Sequence, residues 1–258
     1  VSTYRSLAER LSRGLVIRRR LPAQFGGHLL YATPDAGLRF WRRNLLAVDR
    51  LLLSWVDELV ETGSVVWDLG ANVGLFTLAA AHRASRQGSV VAVEPDDWLT
   101  SLIHQSVAAA SPDIAPVQVL TAALSESVGL AEFSIARRSR AGSHLTAVDG
   151  STQTGGSREI RTVVTLTGDW LLDHLPTPDL VKIDIEGAEG ACLRGASRVL
   201  TEARPTILCE VSRDNGVDVA EALLGQDYVL FDAAVAPPER KPQRSVSWNT
   251  LAIPAERL

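Results

Sequence analysis

Two apolar runs meet at a glycine-rich turn, and that junction limits the folds open to this chain. Val65-Val66-Trp67 leads into Asp68-Leu69-Gly70-Ala71-Asn72-Val73-Gly74, and Leu75-Phe76-Thr77-Leu78-Ala79-Ala80-Ala81 follows. The first run has the unbroken apolar character of a parallel strand buried on both faces; the second reads as a helix packed on a sheet. Glycines at such a turn let the backbone pass close to a ligand. A second strand, Ser89-Val90-Val91-Ala92-Val93, ends in Glu94-Pro95. In doubly wound sheets, a carboxylate at that point binds the hydroxyls of a nucleoside ribose. An ordinary glycine turn would explain Gly70 or Gly74 singly, but not the turn joined to Glu94.

The spacing narrows the ligand. A dinucleotide site calls for G-x-G-x-x-G, which leaves room for a pyrophosphate. Here the glycines are Gly70 and Gly74, with Asp68 before them. An acidic residue there would repel a pyrophosphate and suits the cationic amino acid end of S-adenosylmethionine. That cofactor is favoured over NAD.

A chain of 258 residues accommodates one large α/β domain with an appendage. We divide it into an appendage over residues 1–62 and a cofactor-binding domain over 63–258. No apolar run approaches the length of a membrane span. Arg5, Arg10 and Arg13 are not followed by a signal-peptide core, so a cytoplasmic protein is expected. Cys192 and Cys209 are too few for a disulfide framework and read as reduced core residues. Residues 1–50 hold ten arginines against Glu9, Asp35 and Asp49, although the whole chain carries −4. This basic segment is a solvated face or an attractor for an anionic or carrier-bound acceptor. Nucleic acid is not expected, because the main body is acidic and no aromatics interleave the arginines.

Leu7, Leu11 and Leu15 predict an amphipathic helix within residues 1–20. Residues 28–31 and 38–40, between glycines and Pro34, read as a short hairpin, and residues 45–61 as a helix. Sheet strands are expected at 65–69, 90–94, 117–121, 180–184, 206–211, 227–232 and 246–253, with helices at 75–86, 97–110, 187–203 and 216–225. The alternation breaks between 126 and 168. There, residues 130–135 and 160–166 look like an inserted antiparallel pair, joined by a Ser-, Gly- and Arg-rich stretch over 137–158. That stretch is a disordered connector or an active-site cover.

A second cluster is Asp179-Leu180-Val181-Lys182-Ile183-Asp184-Ile185-Glu186-Gly187-Ala188-Glu189. Asp184 ends a strand and Glu186 stands just beyond it, so both face the crevice outside the strand ends. Alone, such carboxylates would be explained by the dipole of the next helix.

With both clusters in hand, the chain resembles the FkbM family of S-adenosylmethionine-dependent methyltransferases. The resemblance rests on Asp68–Gly74, Val91–Pro95, Ala122–Ser125, Lys182–Glu189, Arg204–Glu210 and Asn249–Ala252, and covers about residues 63–253. Val48-Asp49 stands where the family often has Tyr-Glu. The resemblance implies a Rossmann-like class I methyltransferase fold, with a seven-stranded, mostly parallel sheet whose last strand is antiparallel. It implies O-methylation of a small-molecule hydroxyl on a sugar, cyclitol or polyketide. Asp68, Gly70 and Gly74 would line the methionine end of the cofactor, with Ala71 and Asn72 in the same turn. Glu94 would bind the ribose, with Pro95 and Asp96 beside it. Ala123 and Leu124 would flank the adenine, and Asp184 would lie near the sulfonium.

An alcohol acceptor must lose a proton, and a general base accelerates that by about 10²–10⁴-fold. The candidates are Asp184, Glu186, His144 and Glu210, with Glu186 or Asp184 preferred by position. His28, His82, His104 and His174 read as structural or exposed. Asp184 and Glu210 occupy the positions where some O-methyltransferases hold Mg²⁺; no third ligand presents itself, so Mg²⁺ is not favoured, and no Cys/His cluster suggests zinc. The competing classes are an NAD-dependent oxidoreductase and a catalytically inactive cofactor-binding partner. The first lacks a Tyr-x-x-x-Lys relay around Tyr4, Tyr31 or Tyr228. The second is at odds with intact Asp184 and Glu186. Residues 1–60 and the 137–158 stretch are expected to cover the cleft and choose the acceptor.

Overall fold

The central sheet follows from strands that are apolar on both faces. In a computed structural model, which describes residues 11–147 and 155–258, these strands are β3 (Val65–Leu69), β4 (Ser89–Val93), β5 (Val117–Leu120), β10 (Leu180–Ile183), β11 (Thr206–Glu210), β12 (Tyr228–Asp232) and β13 (Asn249–Pro254). Their spatial order is β12-β13-β11-β10-β3-β4-β5. All neighbours pair in parallel except β13, which is antiparallel to both β11 and β12. This is the seven-stranded α/β sheet expected from the sequence. The last strand begins at Asn249 rather than 246, because the Ser247 N–H donates to Thr250 Oγ1 at 2.9 Å and holds the preceding residues in a turn.

Alternate residues feed two cores. Val66, Val90, Leu180 and Leu208 face one side, where they meet α1 (Arg50–Leu59), α2 (Leu75–Ala84) and α3 (Asp97–Ala108). Trp67, Val91, Val181 and Cys209 face the other, where they meet α4 (Gly168–His174), α5 (Glu189–Arg194) and α6 (Gly216–Leu224). Each fully buried aliphatic side chain contributes about 1.5–3 kcal/mol to these layers. Cys192 and Cys209 are free and buried, and burial pushes the Cys192 thiol up to about 12. The helix expected over 187–203 is divided: α5 stops at Arg194, and a π-helical turn follows at Val199–Ala203. Gly195 explains the break, since its Cα lies so close to Ser125 that a Cβ would sit 2.4 Å from that carbonyl oxygen.

The N-terminal region differs from expectation. The hairpin pairs β1 (Ile17–Arg20) with β2 (Leu29–Ala32), not residues 28–31 with 38–40. Residues 38–41 form a 3-10 turn, after another at Pro34–Ala36 whose start is capped by the Thr33 hydroxyl. The helix expected within 1–20 gives way to extended chain at Ile17, and its first ten residues lie outside the described range. Leu21, Phe25, Leu30 and Phe40 join the core of α1 and α2, so residues 21–60 share the packing of the sheet. Among the described residues, no helix is long and apolar enough to cross a membrane.

The inserted pair is β7 (Gly129–Ala136) and β9 (Ser157–Leu166), antiparallel as expected. It is widened by β6 (Ala123–Leu124) and β8 (His144–Leu145) into a four-stranded sheet, order β6-β9-β7-β8.

Candidate functional site

The carboxyl ends of β3, β4 and β10 open onto a cavity of about 490 Å³. The turn after β3 is pinned to β4: the amides of Gly70 and Ala71 both donate to the Val93 carbonyl, at 2.9 and 3.1 Å. Gly70 has φ +81°, and a Cβ there would lie 1.9 Å from the Asp184 carbonyl oxygen. Glycine is required on both counts. Asn72 also takes a left-handed conformation, at φ +53°. Its side-chain Oδ1 is buried with no hydrogen-bond donor among the described residues.

Glu94 closes the turn from the β4 side. Its carboxylate accepts the Asn72 N–H at 2.9 Å and the Asp96 N–H at 3.0 Å. Burial pushes its pKa up to about 8, against the pull of those two amides. The group therefore sits rigidly at the cavity wall, with lone pairs left for hydroxyl donors. The Glu94 carboxyl group, the orphaned Asn72 oxygen and the apolar walls of Pro95, Ala123 and Leu124 fit a nucleoside with a cationic tail.

Beneath the turn lies a buried charge network. Lys182 donates to Asp68 Oδ1 and to the Gly70 carbonyl, each at 2.9 Å, and stands 3.8 Å from Asp184 Oδ2. Burial alone would lower its pKa; Asp68 and Asp184 more than offset this and raise it. Asp68 Oδ2 accepts the Thr77 hydroxyl at 2.5 Å. The expectation that Asp68 faces the ligand is thus corrected: it is fully buried behind the wall, and its charge anchors Lys182.

Beyond β10 and β11, Asp184, Glu186 and Glu210 line the other part of the cavity. Burial, then Asp184 and Glu210, push Glu186 up to about 8. Burial, then Asp184, push Glu210 up to about 7, with Lys182 and Arg39 pulling the other way. Glu186 holds a left-handed conformation at φ +51°, a strained state for a non-glycine residue and one concentrated at functional sites. Among the described residues, no group of three His, Cys, Asp or Glu is arranged to hold a metal ion.

The structure brings together Gly70, Ala71, Asn72, Glu94, Pro95, Ala123, Leu124, Asp184 and Glu186 around one cavity. Gly74, Asp96 and His144 are not among its lining residues. Gly74 packs on Ile103. Asp96 caps α3 and binds Arg140. His144 lies between Ser143 and Leu145, which do line the cavity, and successive side chains of a strand face opposite ways. Its Nδ1 lies 3.2 Å from the Gly142 carbonyl.

Several lining residues carry no sequence motif. Arg39, Asp49 and Trp55 come from the N-terminal region, Arg140 from the insertion, and Trp248 and Asn249 from the chain end. Asp49 caps α1, accepting the Leu52 N–H at 3.0 Å, and pairs with Arg39 at 2.8 Å. Arg140 binds Asp35 at 3.0 Å, contacts Asp96 and lies over the Trp98 ring. Arg158 reaches Asp35 from β9 at 3.0 Å. The lone lysine inside an apolar strand was the one available signal, for Lys182.

Residues 68–230, more than half the chain, match the methyltransferase FkbM domain. Hexuronic acid methyltransferase AglP of Haloferax volcanii is 26% identical over 186 residues, covering 71% of this chain and 71% of that protein. Among solved structures, a methyltransferase FkbM from Methylobacillus flagellatus superposes with TM-score 0.44 at 14% identity, covering 81% of this chain and 52% of that one. A precorrin-6y C5,15-methyltransferase from Geobacter metallireducens gives TM-score 0.43 at 15% identity, covering 80% and 84%.

Proposed function

Because the chain belongs to the FkbM methyltransferase family, we propose that it is an S-adenosylmethionine-dependent O-methyltransferase acting on a hydroxyl of a small molecule, of sugar or polyketide type. The observation that carries this reading is the single cavity that joins the Gly70–Asn72 turn and Glu94 to Asp184, Glu186 and Glu210. The hexuronic acid in the name of the Haloferax volcanii relative supports a sugar as acceptor class.

When bound, the cofactor supplies a methyl group on a sulfonium, already a good leaving group. The protein's task is then to position the acceptor and exclude water. Glu94 would hold the ribose hydroxyls. The Gly70–Asn72 turn would hold the amino acid end, and Pro95, Ala123 and Leu124 would flank the adenine. Asp184 would stand beside the positive sulfur. Glu186 would take the acceptor's proton, because its raised pKa matches a base working near neutral pH. Lys182 would keep Asp184 and the Gly70 carbonyl in place. His144 receives no role, being outside the cavity wall.

Calorimetric titration with S-adenosylmethionine, S-adenosylhomocysteine and NAD tests the cofactor, with Glu94→Ala alongside. Loss of the hydrogen bonds from the ribose hydroxyls should weaken the sulfur nucleosides roughly ten- to hundredfold. Mass spectrometry of a glycoside and polyketide alcohol panel, with NMR on any product, tests the methylated atom. Binding of NAD alone, or of none of the three, would remove the basis of the proposal. Cofactor binding without turnover of any acceptor would point to an inactive binding partner.

A further inference from the structure

Arginines of the N-terminal region gather on one seam, and the fold leaves them without counter-charges. Residues 40–42 run alongside β1. Arg19 Nε donates to the carbonyls of Phe40 and Arg42 at 3.0 and 2.9 Å, and its Nη2 to that of Trp41 at 3.1 Å. Arg20 meets Asn44 in an isolated bridge. Arg18, Arg20, Arg42 and Arg43 are exposed along this seam. Burial, then Arg43, lowers the Arg19 pKa, as happens when cations crowd together. Between residues 11 and 50 the carboxylates are Asp35 and Asp49. Both are taken, Asp35 by Arg140 and Arg158 and Asp49 by Arg39.

Among the described residues, none of Arg18, Arg19, Arg20, Arg42 and Arg43 forms an ion pair. Arg20 donates to the Gly27 carbonyl and Arg42 to that of Ala47, while Arg18 lies over the Tyr31 ring. Such contacts hold a guanidinium without cancelling its charge. Exposed arginines elsewhere are paired, Arg83 with Asp57, Arg194 with Glu126 and Arg198 with Asp173. Apolar side chains open on the same seam. Trp41 Nε1 donates to Ser12 Oγ at 3.3 Å, and the Leu15 N–H to the Ser12 carbonyl at 3.3 Å, so the 12–15 turn lies against Trp41. Leu15, Val16 and Trp41 are all exposed. Cations interleaved with exposed aliphatic and aromatic side chains suit the headgroup region of an anionic bilayer. Nucleic acid would call for aromatic platforms under its bases, and Leu15 and Val16 provide none.

We propose that the face carrying Arg18, Arg20, Arg42, Arg43 and Trp41 docks onto an anionic lipid bilayer, the arginines pairing with headgroup phosphates while Trp41, Leu15 and Val16 enter the interface. Arg39 and Phe40, from the turn that ends at Trp41, line the cavity. Docking therefore brings that wall of the cavity to the lipid surface. It sets where the protein works, and stands whether or not the methyltransferase reading does.

The test is co-sedimentation of the full chain with two kinds of vesicle, phosphatidylcholine alone and phosphatidylcholine mixed equally with phosphatidylglycerol. The chain should bind the anionic vesicles and not the neutral ones. Most of it should be released at about 1 M salt, where charges are screened beyond about 3 Å. Arg18→Gln/Arg43→Gln removes no side-chain hydrogen bond among the described residues. It should weaken binding about thirtyfold, which is about 1 kcal/mol for each charge. Trp41→Ala should weaken it about tenfold, through loss of a half-exposed apolar side chain. Arg194→Gln/Arg198→Gln takes the same charge from the other face of the sheet and should change binding by less than about twofold. Both double variants alter exposed side chains, so the urea midpoint should hold in each. No binding to anionic vesicles, equal binding to neutral ones, or equal losses in the two double variants would overturn the docking face. Tighter binding to a poly-dT oligonucleotide than to the vesicles would overturn it too, and assign the arginines to nucleic acid.

Discussion

Lys182 and Asp68 form a 2.9 Å buried ion pair at the floor of the cavity, Lys182 lining it and Asp68 lying behind. Removing one partner strands the other charge in the core, and that costs about 3–5 kcal/mol. Lys182→Met should therefore lower the urea midpoint strongly. The Asp68→Asn/Lys182→Met double variant should recover much of the loss, because no charge is left unpaired. A single variant as stable as the wild type would mean the pair carries no structural weight.

Gly70 should tolerate no side chain. Alanine there meets a left-handed φ of +81° and an atom only 1.9 Å away. Backbone strain of this kind alone costs about 1–3 kcal/mol. The turn must shift away from Asp184, so Gly70→Ala should abolish S-adenosylhomocysteine binding by calorimetry. Undiminished binding would show that the turn is not part of the cofactor site.

Glu186 should shape two pH profiles at once. Its pKa is about 8 when folded, against an ordinary 4.5. Its contribution to stability is thus full below about 4.5 and is lost as the pH rises through about 8. Glu186→Gln should gain on the wild type in melting temperature between pH 5 and pH 9. Turnover of the wild type should climb to a plateau above about pH 8, since only the ionised form accepts a proton. The glutamine variant should be slower by about 10²–10⁴-fold with that limb gone. A limb unchanged in the variant would assign the base elsewhere, with Asp184 and Glu210 next in line.

His28 and His82 should make the protein acid-sensitive. Their rings meet at 3.1 Å, Nε2 to Nδ1, so one nitrogen must be unprotonated. Burial lowers both pKa values, with His82 adding to the effect on His28 and Arg83 to that on His82. This stability is present above the ordinary value of 6.5 and is lost as the pH falls toward the folded values. From pH 7.5 to pH 5.5 the urea midpoint of the wild type should fall more than that of His82→Gln. Equal slopes would mean the pair is not the titrating element.

The parts legible in the sequence were those whose residues serve one local purpose. β3 and β10 announce themselves because both faces are buried, and Gly70 because the turn needs it. The insertion was visible as two strands, since β6 and β8, at two residues each, are too short to show alternation. Arg39 stands in a single 3-10 turn and Trp248 in irregular chain, both too short for periodicity to mark an inward face. Asp68 misled because a carboxylate beside a glycine turn looks the same whether it faces ligand or lysine. The N-terminal hairpin was misplaced because its register depends on pairing across the 3-10 turn at Ala23–Phe25, not on local alternation.

The four-stranded insertion packs Ala123, Phe133, Ile135 and Leu145 against Ala188 at the start of α5. Leu124 and Leu166, at the ends of β6 and β9, join one of the two cores of the main sheet, and polar links through Asp35 and Asp96 fasten the other end of the insertion. Among the described residues, the stretch between β7 and β9 itself contributes only Leu145 to these cores. Exchange of the stretch between β7 and β9 can remodel the ceiling of the cavity while the sheet beneath keeps its packing. A segment grafted there would have to keep an arginine at the Arg140 position, because Asp35 and Asp96 are the buried carboxylates it pairs with.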